Sequence, residues 1–244
     1  MEVHHHPNVE KKGFKEYFLE FLMIFLAVTL GFFAENIREH LTEKSRENEY
    51  IKSLTTDLND DINNLHSIII FEKAGMNQLD TLIDLLDHPR LAKQEGDEIY
   101  FVARQGPREF PFPITSRTID QLKSSGGFLL VRNVNASNQI INYYNGFSPI
   151  KLLENNYDRE FSEYERVAAH IFDPEILRRQ ESPTGVITRS DDSPVLLTYD
   201  NNLLKRLAFT VVQMGGSRRY RLGLLQAQKI QAEKLKSYLQ KEYQ

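Results

Sequence analysis

Residues Tyr17 to Ala34, YFLEFLMIFLAVTLGFFA, are the one run in the chain long and apolar enough to leave water. At a rise of about 1.5 Å per residue, these eighteen residues make a helix of roughly 27 Å, close to the hydrocarbon thickness of a bilayer. Eleven of the eighteen are Leu, Ile, Val or Phe. Each favours insertion by about 0.3 to 0.6 kcal/mol, against a cost of about 2.5 kcal/mol for Glu20 at mid-membrane that shrinks toward the end of the run. A buried core helix is the competing reading, but such a helix normally keeps a polar stripe, and here only Glu20 and Thr29 are polar. A cleaved signal peptide would need small residues where Phe32, Phe33 and Glu35 stand, so an uncleaved single-pass anchor is expected.

Lys11, Lys12 and Lys15 precede the run and Arg38, Lys44 and Arg46 follow it, so the count of basic residues ties. The lysines lie closer, and long C-terminal domains are exported largely regardless of charge. The expected topology is a tail inside and the C-terminal domain in the periplasm, anchored in the inner (cytoplasmic) membrane.

The remainder has an ordinary globular composition, 26% charged and 41% hydrophobic. A net charge of −4 gives no general pull toward nucleic acid, and the absence of cysteine removes disulfides and thiolate metal sites. The chain divides by pattern into a tail (1–16), the membrane helix (17–34), a polar helical stalk (35–50) and a helical bundle domain (51–244). His4, His5 and His6 in the tail could bind a divalent ion, although a lone tract at a terminus is weak support for that.

From Ile51 the apolar positions run Leu54, Leu58, Ile62, Leu65, Ile69, Met76, Leu79, Ile83 and Leu86, the steps of three and four that make one long amphipathic helix. It should end near His88, before Pro89. Such a stripe cannot be buried alone, so later helices must pack back along it. Asp57, Asn59 and Asp61 imitate the start of a calcium loop, but Ile62 and Ile68 occupy its glycine and glutamate positions. A short helix is expected at Glu98 to Arg104, and the alternating prolines about Phe110 and Phe112 forbid helix there. Ser116 or Thr118 can cap a helix through Leu122, and another pattern ends at Asn145 and Gly146. Ser148 and Pro149 open a helix to about Phe172, and Asp173 with Pro174 start one more turn. Residues 180 to 200 form a loop or a small hairpin about Ser190 to Ser193, and Asn201 opens the final helix, with Gly215 and Gly216 as a kink or close-packing point. The fold expected is all-α: a membrane helix continuing into a long-helix antiparallel bundle with one irregular or hairpin insertion.

KKGFKEYFLEFLMIFLAVTLGFFAENIRE at residues 11 to 39, TIDQLKSSG at 118 to 126 and QIINYYN at 139 to 145 resemble a group of uncharacterised single-pass membrane proteins of Bacteroidota. The resemblance covers less than a quarter of the chain. It implies a membrane helix near the N-terminus and a helical domain beyond it, and brings no activity.

No HExxH, GxSxG, GxxxxGK[ST] or GxGxxG is present, so no enzyme, cofactor or metal site is expected. His66 and His170, with Glu163 or Glu165, are the remote metal alternative. Arg218, Arg219 and Arg221 around Tyr220 form the sharpest basic patch, suited to an acidic partner or a lipid phosphate; pairing with the acidic first helix is the plainer use. Tyr143 and Tyr144 are candidates for lining a small cleft. The function expected is a membrane-anchored scaffold or protein-interaction protein; the alternative is a ligand-sensing bundle that acts through a partner protein.

Overall fold

The computed structural model describes residues 13–190 and 192–243; the His4 to His6 tract and Lys11 and Lys12 lie outside them. Among the described residues the protein is all helical: α1 (Phe14–Asp87), α2 (Pro89–Gln94), α3 (Gly96–Gln105), α4 (Arg117–Ser124), α5 (Val134–Asn145), α6 (Ser148–Ala168), α7 (Pro174–Arg179) and α8 (Asn201–Tyr243), with a 3-10 turn at Gly127–Leu130. The chain divides into two compact units, Met1–Tyr50 and Ile51–Gln244.

In the first unit the apolar run is helical and none of its residues is buried. Phe21, Met23, Ile24, Phe25, Phe32 and Phe33 are all more than half exposed. This one helix is long and apolar enough to cross a membrane. Thr29 turns its hydroxyl back on the helix, donating to the Phe25 carbonyl at 2.7 Å, so the polar group needs no water. The stalk residues Ile37 and Leu41 are exposed, and Arg38 pairs with Glu35 one turn away.

In the second unit the predicted stripe faces inward: Ile51, Leu54, Leu58, Leu65, Ile69, Leu79 and Leu86 are buried, with Ile62, Met76 and Ile83 half-buried beside them. Residues 51–87 of α1 run antiparallel to α8, since Asn59 meets Lys236, Glu72 meets Arg218 and Arg221, and Asp80 meets Arg219. α6 also lies antiparallel to α8, with Glu154 on Arg221, Glu160 on Ser217 and Glu163 on Arg206. One apolar cluster gathers Leu79, Leu82, Leu86, Ile99, Val167, Ile171, Leu204, Leu207 and Val211. A second set of buried residues, Leu54, Leu58, Leu65, Ile119, Leu122, Ile140, Leu225 and Leu235, lies toward the other end of the α1 and α8 pair.

The structure differs from the sequence reading in several places. α4 takes no side-chain cap from Ser116; instead Asp57 of α1 accepts from the Thr118 N–H at 3.0 Å. The same helix stops where Gly126 adopts φ 68°, a left-handed conformation that favours glycine. α6 ends at Ala168 rather than near Phe172, because Asp173 caps α7 through the Glu175 N–H and the chain must first turn, burying Ile171 and Phe172. The insertion contains an isolated antiparallel bridge, Glu181 to Ile187, and its turn is at Ser182 to Val186 rather than Ser190 to Ser193. α8 runs unbroken through Gly215 and Gly216.

Candidate functional site

Where the apolar stripe of α1 breaks between Ile69 and Met76, the helix turns Glu72 inward; where the α8 stripe breaks between Met214 and Leu222, it turns Arg218 and Arg221 inward. All three side chains are at most 1% exposed. Arg218 donates through Nε to Glu72 at 2.6 Å, through Nη2 to the Arg108 carbonyl at 2.7 Å, and through Nη1 to the Gly106 carbonyl. Arg221 reaches the other oxygen of Glu72, the Phe110 carbonyl at 2.7 Å and Glu154 at 2.8 Å. The planar guanidinium forks bind the carboxylate and also hold an irregular segment, residues 106–112, whose carbonyls lack helical partners. Three charged residues, one on α1 and two on α8, thus divide the apolar core at mid-height.

Close packing makes this layer feasible. At Gly75, one turn from Glu72, an added Cβ would lie 2.4 Å from the Arg218 Cζ, so only glycine lets the guanidinium lie against α1. The Phe71 ring stands 5.4 Å from the same Cζ, a cation–π contact.

Glu109 completes the layer differently. Its Oε1 is 2.9 Å from Arg221 Nη1, yet the angle makes no hydrogen bond, and that oxygen has no hydrogen-bond partner. Burial pushes the Glu109 carboxyl up to about 7; Arg221 pulls it down, while Glu72 and Glu154 add to the rise. Three carboxylates, Glu72, Glu109 and Glu154, face two arginines here.

Of the arginine patch, then, Arg218 and Arg221 lie inside the protein, and Arg219 is on the surface, paired with Asp80 at 2.7 Å with both side chains 52% exposed. Tyr220 is exposed. Tyr143 is buried, its hydroxyl donating to Asp61 at 2.7 Å, and burial pushes its pKa far up. Burial also raises the Asp61 carboxyl, against hydrogen bonds from Tyr143 and the Thr115 N–H. Tyr144 lines a cavity of about 440 Å³ with Phe112, Phe147 and Ile150. Its hydroxyl donates to the Thr115 carbonyl at 3.3 Å. Tyr157 and Tyr164 likewise donate to the Pro107 and Ala103 carbonyls. A larger cleft of about 590 Å³ has Phe161, Tyr164, Phe172 and Leu177 in its walls and Arg104 and Arg108 among its charged residues.

His66 and His170 are both exposed, and no group of three or more metal-capable side chains occurs among the described residues. Sequence reasoning overlooked Glu72, Glu109 and Glu154. Glu72 carried a signal, standing three residues after Ile69 and four before Met76, on the apolar stripe itself; Glu109 sits where no periodicity exists to place it.

No protein family, no curated protein and no solved structure matches this chain.

Proposed function

We propose that this protein is a single-pass, membrane-tethered helical protein whose second unit recruits a protein partner. In this reading it is held in the inner (cytoplasmic) membrane with its C-terminal residues in the periplasm, and it is not an enzyme. The observation that carries the tether is the wholly unburied apolar helix over Tyr17 to Ala34, a surface that water does not tolerate at that extent. The recruitment role draws support from α8, where Phe209, Val212, Tyr220 and Ile230 are exposed at helical steps and Gly216 and Gly223 between them meet open space.

Replacing Leu26 and Val28 by Arg adds about 5 to 7 kcal/mol to insertion at the membrane centre. The doubly substituted protein should leave the membrane fraction on alkaline washing while the parent stays. Retention of the variant would refute the tether. A reporter active only outside the cytoplasm, fused after Gln244, should be active; activity of a cytoplasm-only reporter there would reverse the orientation.

A second reading is a ligand-responsive bundle acting through a partner. It is favoured by the cavities of the second unit, whose walls set aromatic rings beside charged side chains.

A further inference from the structure

The segment that the buried arginines hold also walls a cavity of about 240 Å³ whose lining includes Arg108, Glu109, Phe110, Tyr157, Asp158 and Phe161. Glu109 belongs to both structures. Its side chain is 9% exposed, and its Oε1, although 2.9 Å from Arg221 Nη1, makes no hydrogen bond. A buried carboxylate oxygen without a donor is costly, and a donor arriving from the cavity would relieve that cost. Asp158 adds a second carboxylate to the lining, and the rings of Phe110, Tyr157 and Phe161 are surfaces that favour a cation. Arg108 supplies the opposite charge: its side chain is exposed and its guanidinium has no partner among the described residues. Arg108 and Phe161 also line the 590 Å³ cleft, so the two cavities adjoin there.

We propose that these adjoining cavities bind a zwitterionic amino acid with a large apolar side chain. The ammonium group meets Glu109, the carboxylate meets Arg108, and the side chain enters the cleft walled by Tyr164, Phe172 and Leu177. A simple organic cation would leave Arg108 unmatched, and a simple carboxylate would face Glu109 and Asp158. The zwitterion answers both charges. This inference rests on the ligand-responsive reading and is independent of the membrane tether.

Calorimetric titration of the full chain in lipid nanodiscs tests it with three probes: L-phenylalanine, 2-phenylethylamine and 3-phenylpropionate. L-phenylalanine should bind more tightly than either singly charged analogue. Glu109→Gln should weaken L-phenylalanine and the amine about tenfold or more and spare the propionate. Arg108→Gln, a surface change that keeps the fold, should weaken L-phenylalanine and the propionate and spare the amine. Far-UV circular dichroism matching the parent establishes that each variant is folded. Absence of L-phenylalanine binding in the millimolar range overturns the proposal. Binding that ignores both replacements also overturns this site, while leaving the broader ligand-responsive reading in place.

Discussion

Gly75 of α1 and Arg218 of α8 share one space: a methyl group on the first would stand 2.4 Å from the guanidinium carbon of the second. The arginine cannot swing aside, since three of its nitrogens are bonded to Glu72, Gly106 and Arg108. Gly75→Ala should therefore destabilise the protein by about 1 to 3 kcal/mol, despite alanine's helix-propensity gain of about 1 kcal/mol. Gly216→Ala, on an open face of α8, should stabilise by up to about 1 kcal/mol. Chemical denaturation of the two variants measures both signs.

The pair beneath that glycine is itself open to a double-mutant cycle. Arg218→Met leaves one Glu72 oxygen and two carbonyls without their donor, with Arg221 still on the other oxygen, and should cost about 3 to 5 kcal/mol. Combined with Glu72→Leu, the loss should be smaller than the sum of the single losses by at least about 1 kcal/mol. Additive losses would show that the two residues do not act as a unit.

Glu109 makes stability depend on pH in an unusual direction. Its folded pKa of about 7 stands above the ordinary value of 4.5, so its contribution is fully present below about pH 4.5 and is lost as pH rises through about 7. The raised Asp61 carboxyl adds in the same sense. Unfolding free energy should fall between about pH 5 and pH 8, by an amount on the order of 2 kcal/mol. Glu109→Gln should flatten that slope, and an unchanged slope would remove Glu109 as its source.

Leu65 is fully buried on the α1 stripe, whereas Asp60 is on the surface with Arg117 at 3.1 Å. Leu65→Asp places an unpaired carboxylate in the core and should cost several kcal/mol against a typical domain stability of about 5 to 15 kcal/mol. Asp60→Ala should change stability by about 0.5 kcal/mol or less. Equal small shifts in thermal melts would mean that this stretch of α1 is not the packing surface.

Periodicity made the long elements legible. The stripes of α1 and α8 announced two helices that must meet, and the structure packs them together. Their polar interruptions, Glu72 on one and Arg218 and Arg221 on the other, carried the charge layer: pairing of the arginines with the acidic first helix is legible in the sequence, and their burial is not. Six-residue α2 buries only Ala92 and has too few turns to show a period. The segment about Phe110 was legible only as non-helical, so neither Glu109's burial nor the carbonyls that Arg218 and Arg221 hold could be placed. Residues 182 to 186 turn because Gly185 adopts φ 78° and Ser182 Oγ accepts from the Val186 N–H at 3.0 Å. Those local bonds compete with many similar Ser, Thr and Pro clusters in the same stretch.

The charge layer also imposes an order on biosynthesis. Glu72 is translated 146 residues before Arg218, and Arg218 must then bond carbonyls at Gly106 and Arg108 that emerged 112 and 110 residues earlier. At about 5 to 20 residues per second, the acidic half waits roughly 7 to 30 s for its partner. Until α8 is made, no arginine occupies the centre of the second unit and the unit cannot lock. During that interval the second unit lacks the bonds that join its two long helices at mid-height.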